Sequence, residues 1–247
     1  MTGVQTCALP ISNLFNVAVL AHLIGREDMF VKVLEAREIA QDLKETLFGN
    51  RMDLGAICIG GVRYDLPSER RSLLEYGLRA LGPKIDDFIR IYSEDDEILG
   101  RTRGVGVLGP QQAGMCGVVG PVARASGIPH DVRLMAPYAA YDRLDVPMKT
   151  LTDGDVWSRA IIRLHEARAA IDLIRQAVAA MPEGPVRPKT LPEIPPGRAI
   201  AKTEAPRGEL IYFVRTNDTE NPERVKWRVP TYLNWEALRL MMRGARI

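Results

Sequence analysis

The stretch Glu204-Ala205-Pro206-Arg207-Gly208-Glu209 lies between a proline-rich run and an apolar segment. Pro206 fixes its own φ angle and lacks an N–H, and Gly208 permits a backbone bend that other residues resist. Arg207 is therefore presented from a stiff turn, with five N–H donors in a fixed plane and a charge that it does not lose. Such a turn suits a site that must place a cation accurately. The alternative is a surface turn that carries a solvated arginine.

The residues that follow this turn predict a small sheet and a helix. Leu210 to Arg215 alternates in the manner of a strand, and Arg224 to Val229 predicts a second strand. The turn-forming residues between the two strands favour a β-hairpin. Pro230-Thr231 should end the second strand, and Leu233 to Arg243 predicts a short helix.

Upstream of the turn, apolar residues at helical spacing predict a bundle of long helices. The predicted helices are 13–25, 28–48, 68–92 and 153–181. We expect Asp28, Ser68 and Asp153 to cap the last three at their N-termini. Gly49 should end the second helix, and the proline-rich residues 185–196 should form an extended linker. The predicted fold class is therefore mainly α, of the α+β type: a long-helix bundle with a small β-hairpin.

Three further segments carry expectations of their own. Gly82-Pro83 should kink the third helix or split it in two. Gly60 to Leu66 (GGVRYDL) should form a tight, close-packed loop, because two adjacent glycines let backbones approach. Residues 100–153 should form a long irregular connection, beginning with an extended segment from Arg101 to Leu108. Connections of that length usually serve a partner surface or a site.

The composition limits the classes of function. The chain has 247 residues and a formal net charge of +2, which is too balanced to indicate a nucleic-acid partner. We see no apolar run of the length of a membrane span. Cys7, Cys58 and Cys116 are too widely spaced for a disulfide framework or a zinc site. A reducing, cytoplasmic compartment fits this cysteine usage.

Two features of the N-terminal region need an interpretation. Residues 1–12 (MTGVQTCALPIS) have no charge and no periodicity, and they match a sequencing-library adapter translated in frame. We therefore interpret 1–12 as an artefact and 13–247 as one partial domain, and we expect the native chain to be truncated at both ends. His22 could ligate a metal, but a histidine packed on its helix is the favoured interpretation because no partner lies at ligand spacing.

Several motifs together resemble those of one superfamily. The chain is similar to the [NiFe] hydrogenase large subunits and to the related D-type subunit of the proton-pumping NADH:quinone oxidoreductases (complex I). The resemblance is closest to the group 4, energy-converting, membrane-associated hydrogenases. The segments that carry it are Arg37-Glu38, 49–52 (GNRM), 60–66 (GGVRYDL), 101–108 (RTRGVGVL), 120–127 (GPVARASG), Asp131 with Arg133, 137–142 (PYAAYD), 154–156 (GDV) and 204–208 (EAPRG).

The resemblance implies roles for particular residues. In the hydrogenases, the arginine of the Glu-Ala-Pro-Arg-Gly motif lies over a nickel–iron centre, contacts a cyanide ligand of the iron and is a candidate proton acceptor or donor. That position is Arg207, with Glu204 and Pro206 in support. A Pro-Thr pair contacts the other cyanide, and Pro230-Thr231 matches it, with Asn234 nearby. The Cys-x-x-Cys pairs that hold the metal would lie outside this chain, so no metal ligand is assigned within it.

The implied function has three alternatives. The short Glu204–Arg228 segment and the retained Thr231 favour a group 4 hydrogenase, which couples H2 oxidation or proton reduction to ion translocation. The second alternative is the complex I subunit of D type, which binds quinone in an NADH-oxidising enzyme and has lost the metal. The third is an inactive docking subunit. The resemblance implies an iron–sulfur small subunit and a membrane arm as partners, and a peripheral position on the cytoplasmic face of the membrane. The fragment alone should be inactive and bind no cofactor.

Overall fold

A computed structural model of the protein describes residues 2–52, 55–190 and 193–244. The elements are mostly helical, with two small antiparallel sheets, so the predicted mainly α fold class is confirmed. The helices are α1 (Thr2–Leu23), α2 (Glu27–Phe48), α3 (Ser68–Glu94), α4 (Asp96–Thr102), α5 (Pro110–Cys116), α6 (Pro121–Ala125), α7 (Val132–Met135), α8 (Val156–Ala179) and α9 (Pro230–Met241). The strands are β1 (Ile57–Cys58), β2 (Gly61–Val62), β3 (Gly197–Ala205), β4 (Gly208–Thr216) and β5 (Arg224–Arg228), and a 3-10 turn spans Tyr141–Arg143.

Four long helices form the main core. Helices α1, α2, α3 and α8 each pack against two of the others, which closes a four-helix bundle. Their apolar faces supply fully buried side chains such as Leu14, Val33, Ile85 and Ile171, as expected when one stripe of each helix faces the bundle axis. A buried polar group inside the bundle finds a backbone acceptor: Tyr92 Oη donates to the carbonyl oxygen of Val17 at 3.0 Å.

The helix boundaries correct several predictions. Helix α2 begins at Glu27, and the side chain of Asp28 bonds to Arg26 and makes no cap. Helix α3 begins at Ser68 itself, after Pro67. Helix α8 is capped by Asp155 and not by Asp153: Asp155 accepts from Ser158 N at 2.8 Å, and Ser158 Oγ accepts from Asp155 N at 2.9 Å. A reciprocal pair of this kind satisfies two donors of the first turn, which a lone aspartate cannot do.

Some predicted breaks do not occur. Helix α3 continues through Pro83, so the predicted split at Gly82-Pro83 is wrong. Arg101 and Thr102 belong to α4, because Asp95 caps a new helix there by accepting from Glu97 N and Ile98 N. Gly49 does end α2, with φ +68°. Helix α1 begins at Thr2 and includes most of the segment set aside as an artefact; that interpretation of 1–12 stays a prediction.

One helix also corrects the expectation about membrane spans. Within the residues that the structure describes, Thr6–Leu23 has the length and apolarity of a span, and 56% of that window is buried inside the protein. Leu14, Val17 and Ala18 in this window are fully buried against the bundle. The packing of α1 on α2 and α8 is that of a core helix.

The larger sheet places the Pro206-Arg207 turn. Its strand order is β3-β4-β5, all antiparallel, and Glu204 pairs with Glu209 and Ala205 with Gly208. The β4–β5 hairpin confirms the prediction from residues 210–229. Strand β3 was not predicted: it begins directly after the region expected to be linker, and its first six residues are exposed, so no apolar alternation marks it.

The GGVRYDL loop is close-packed, as predicted. Strands β1 and β2 pair around a turn in which Gly60 has φ +84°. A Cβ at Gly61 would lie 2.2 Å from the carbonyl oxygen of Val186, and Val62 N donates to that same oxygen at 3.1 Å. The loop therefore fixes the start of the linker against the body of the protein.

Replacement of the true cap should destabilise the protein far more than replacement of the predicted one. Asp155→Ala removes the acceptor of Ser158 N and of Gly104 N, which lies 2.9 Å away. We expect a loss of about 1–2 kcal/mol in the free energy of unfolding, measured in urea. Asp153 is exposed, so Asp153→Ala should change it by less than about 0.5 kcal/mol. Equal losses would contradict this assignment of the cap.

Candidate functional site

Arg207 lies at the tip of a two-residue turn whose backbone is buried. The turn Pro206-Arg207 joins β3 to β4, and Gly208 follows it with φ +122°, a region that favours glycine. The Arg207 side chain is exposed, whereas Gly208 is buried and Pro206 half-buried. The sequence-based expectation of a stiff turn that presents an arginine therefore describes this geometry.

A backbone-to-backbone contact holds the turn in place. A Cβ added at Gly120 would lie 2.4 Å from the carbonyl oxygen of Arg207, and one added at Gly208 would lie 2.7 Å from Gly120 N. Both positions also have positive φ angles, +68° for Gly120 and +122° for Gly208. No side chain fits between the two segments without displacing backbone atoms, so the Arg207 backbone is fixed against Gly120.

The same segment binds the helix that carries Thr231. Asn234 on α9 accepts a hydrogen bond from Val119 N at 2.9 Å and donates one to Val119 O at 3.3 Å. Helix α9 begins at Pro230, which is buried, and Thr231 follows, half-buried. Pro230 thus starts this helix, at the position where a missing N–H costs least. Residues 119–120 therefore contact both the Arg207 turn and the helix that begins with Pro230-Thr231, two features that the resemblance assigns to one site.

Glu204 anchors the other side of the turn. It is buried on β3, and its carboxylate accepts from Arg124 Nη1 at 3.0 Å and from Val132 N at 3.1 Å. Its own backbone N donates to Tyr138 Oη at 3.0 Å. Its partners therefore lie in α6, in α7 and, for Tyr138, in the segment between α7 and the 3-10 turn. Glu204 therefore acts on Arg207 through the strand and turn that it holds.

Arg124 is the centre of this buried ionic cluster. Its side chain is 2% exposed, and it donates to Glu166 Oε1 at 2.7 Å and to the carbonyl oxygen of His130 at 2.7 Å as well as to Glu204. Asp131 lies 3.6 Å from Arg124 and forms two bonds with the guanidinium of Arg133, at 2.9 and 2.6 Å. Arg124 has no role predicted from the sequence, where its only signal is its place in the GPVARASG segment.

The two buried carboxyl groups of the cluster differ in their pKa values. Burial raises the pKa of Glu204 to about 7, against the opposing charge of Arg124 and with the help of Asp131. Burial also opposes ionisation of Asp131, but the hydrogen bonds and charge of Arg133 outweigh it and keep the pKa of Asp131 below its ordinary value. Asp131 is therefore the ionised member, and Glu204 is the group that titrates near neutrality.

The other candidate residues lie apart from this site. Among the described residues, no group of three or more His, Cys, Asp or Glu side chains is placed to hold a metal ion. Cys7, Cys58 and Cys116 form no disulfide bond within the described part of the chain. His22 was expected to be packed on its helix, but its side chain is exposed, with Nδ1 2.6 Å from Glu27 Oε1. Its ring does contact Phe30, with ring centroids 5.2 Å apart.

Comparisons with known proteins define the class of the chain. Residues 24–193 and 187–247 match the family described as the respiratory-chain NADH dehydrogenase, 49 Kd subunit. The chain therefore belongs to this family of oxidoreductase subunits, which the sequence motifs predicted. The match includes Arg124, Glu204, Arg207 and Thr231.

Individual relatives come from both branches of the superfamily. A protein of Rhodospirillum rubrum named carbon monoxide-induced hydrogenase is 54% identical over 237 residues, which is 96% of this chain and 66% of the relative. An NADH-quinone oxidoreductase D-type subunit of Roseiflexus sp. is 37% identical over 225 residues, 87% of this chain and 60% of the relative. The F(420)H(2) dehydrogenase D-type subunit of Methanosarcina mazei is 33% identical over 244 residues, 96% of this chain and 65% of the relative. The chain thus spans somewhat under two thirds of each.

The contact between Gly120 and Gly208 predicts a large effect of one methyl group. Gly120→Ala would place a Cβ within 2.6 Å of three backbone atoms of the Arg207-Gly208 peptide. We expect a loss of about 3–4 kcal/mol in the free energy of unfolding, measured in urea, from the clash and the positive φ together. Gly104→Ala is the matched control, since Gly104 has φ +69° and open space around it; it should lose about 1–2 kcal/mol. Equal losses would mean that the contact does not constrain the turn.

Glu204 predicts a specific pH dependence of stability. Because its pKa is raised from 4.5 to about 7 in the folded state, the folded protein binds a proton that the unfolded chain releases between these values. The stabilisation of the folded state by proton binding to Glu204 is thus complete below about pH 4.5 and falls as the pH rises to about 7. The free energy of unfolding of wild type minus that of Glu204→Gln should therefore decrease between pH 5 and 7 and stay constant above pH 8. Exposed Glu220→Gln is the control, for which the difference should not follow this curve.

Proposed function

We propose that this chain is part of the large subunit of a membrane-associated, energy-converting [NiFe] hydrogenase, in which H2 oxidation or proton reduction is coupled to ion translocation. The observation that supports the proposal is that the backbone segment 119–120 contacts both the Arg207 turn and, through Asn234, the helix that carries Thr231. The identity of 54% to a protein named as a hydrogenase, against 37% to a protein named as an NADH-quinone oxidoreductase subunit, supports the same choice.

The residues present fit the surroundings of a nickel–iron centre. An exposed guanidinium and a hydroxyl group on rigid elements are suitable donors to anionic cyanide ligands. The described residues bring together no metal-ligand cluster, so this chain would supply contacts around the centre and not the ligands that hold it. A nickel–iron centre supplies the H2-splitting chemistry when bound. Arg207 would orient an anionic ligand through its N–H groups and hold a fixed positive charge beside the centre.

The second candidate is a quinone-reducing subunit. Relatives named as D-type subunits of NADH-quinone oxidoreductases include those of Roseiflexus sp., 37% identical, and Solibacter usitatus, 33% identical. In that case the same exposed Arg207 would donate to a carbonyl oxygen of the quinone headgroup, and no metal would be bound. The fold and the turn are compatible with both chemistries, since each needs a cation fixed at one position.

Docking to partner subunits also forms part of the proposal. Helix α9 exposes Tyr232, Trp235 and Leu238, and Met242 directly after it is also exposed; Tyr232 and Trp235 are each more than 60% exposed. Large exposed apolar side chains on one helix are typical of a protein interface. We propose an iron–sulfur small subunit and a membrane arm as partners, which would place the chain on the cytoplasmic face of the membrane. An inactive docking subunit would use the same surface without Arg207 chemistry.

The complete gene from the source organism distinguishes these candidates. A hydrogenase large subunit should contain two Cys-x-x-Cys pairs, one on either side of the region that matches residues 13–247, the second preceded by Asp-Pro. A parent without cysteines at these places would overturn the hydrogenase proposal and favour the quinone enzyme or a docking subunit.

Arg207→Lys in the complete enzyme should lower kcat by about 100-fold or more, because lysine keeps the charge but loses the planar array of donors. The turn holds the arginine through backbone contacts, so the thermal unfolding midpoint should change little. Arg79→Lys on α3, an arginine 75% exposed and paired with Glu75, is the control and should retain full turnover. Near-normal kcat of Arg207→Lys would contradict the assigned role.

A further inference from the structure

Arg163 is a buried cation with poor partners, directly behind the Pro206-Arg207 turn. It lies on α8 and is 8% exposed. Its guanidinium has two hydrogen-bond acceptors among the described residues, both long: Nη1 lies 3.5 Å from Asn13 Oδ1 and 3.4 Å from the carbonyl oxygen of Pro206. No carboxylate of the described residues lies within ion-pair distance of it. A guanidinium carries five N–H donors, and only those on Nη1 of Arg163 have acceptors among the described residues.

Asn13 adds a buried donor without a partner at the same place. Its side chain is fully buried, and its Nδ2 has no partner within the described part of the protein. The amide cannot be turned over to correct this, because Asn13 would then direct its NH2 group at the guanidinium of Arg163. Buried N–H donors without acceptors are costly, and native proteins rarely leave them so.

The charges around Arg163 increase the need for an anion. Burial lowers the pKa of Arg163 to about 10, so it stays charged at neutral pH. The charged groups that face it are Glu166 and Arg159 on its own helix, Arg124 on α6 and Arg207 on the turn. Glu166 is already bound by Arg124 Nε at 2.7 Å, and Arg159 donates to the carbonyl oxygens of Gly154 and Gly106. The surroundings are thus net positive around a desolvated cation.

We propose that Arg163 and Asn13 form a buried binding site for one anionic oxygen ligand, a carboxylate or a small oxyanion, behind the Arg207 turn. The anion accepts hydrogen bonds from the Arg163 guanidinium and from Asn13 Nδ2 and offsets the positive field of four arginines. Its source is either the carboxylate of an Asp or Glu side chain elsewhere in the assembled enzyme or a free small anion. Either ligand would fix the underside of the turn that presents Arg207.

Hydrogen–deuterium exchange of the intact parent complex tests this site without reference to its activity. The peptides to follow span 158–168 on α8 and 204–210 at the turn, and the variants are Arg163→Met and Arg163→Lys. Arg168→Met is the control, because Arg168 lies on the same helix but pairs with Asp86 and Asp172 at the surface. At pH 8 we expect Arg163→Met to exchange at least about tenfold faster in both peptides, since a buried anion loses its cation.

The opposite result overturns the proposal. If no anion is bound, Arg163→Met replaces an unpaired buried charge by an apolar side chain, and exchange should be slower or unchanged. If Arg163→Met fails to fold, Arg163→Lys supplies the comparison: a smaller acceleration of exchange supports the site, and unchanged or slower exchange overturns it. Failure of the hydrogenase proposal would leave this result intact, because the readout is independent of turnover and of metal content.

Two further arms identify the source of the anion. Sodium formate at constant ionic strength should slow exchange of the wild type, saturably, if the ligand is a free anion. If the ligand is a protein carboxylate, formate should have no effect on exchange. In that case the fast exchange of Arg163→Met should be reversed at pH 5.5, after correction for intrinsic exchange rates, because the carboxylate becomes protonated and neutral. The absence of both responses would overturn the proposal.

Discussion

The contact between the backbones of Gly120 and Gly208 determines where the candidate site lies. It brings the Pro206-Arg207 turn of the sheet against the segment that leads into α6. It tolerates no Cβ on either side, and both glycines have positive φ angles that L-residues rarely adopt. Because Asn234 bonds to the neighbouring Val119, the same contact also positions α9. Rigid backbone placement is what a site needs if an arginine is to meet a ligand accurately.

The buried ionic cluster supports this contact from the opposite side. Arg124 joins α6 to α8 through Glu166 and to β3 through Glu204. Buried charges lose hydration, and the Arg124 group is tolerable because each charge has an opposite charge and additional hydrogen bonds. Arg163 differs, since its acceptors among the described residues are neutral and distant. The four arginines thus have different surroundings. Arg124 is paired with carboxylates, Arg159 donates to backbone carbonyl oxygens, Arg207 is exposed at the turn, and Arg163 is the one for which we propose an anionic ligand.

Local signals predicted much of the fold and the key turn. The helices, the β4–β5 hairpin and the exposed turn at Arg207 depend on residues a few positions apart, so periodicity and turn residues reveal them. The predicted cap of α8 at Asp153 is wrong, because Asp155 also lies at the start of this helix. Only Asp155 has a serine three residues later, Ser158, which completes the capping box. Strand β3 was missed because its outer residues lack an apolar face. In the Arg124 cluster, Glu166 and Glu204 lie 42 and 80 positions from Arg124 along the sequence. No local sequence pattern predicts contacts between residues so far apart.

The proposed placement of Arg207 and Thr231 beside an iron centre is tested most directly by the infrared spectrum of the complete enzyme in the cyanide stretching region. Two cyanide bands are expected in the wild type, with Arg207→Lys shifting one of them and Thr231→Val shifting the other, because each residue donates to a different ligand. Cyanide bands that neither variant moves would contradict the placement of the two residues. A spectrum without cyanide bands would contradict the hydrogenase assignment itself.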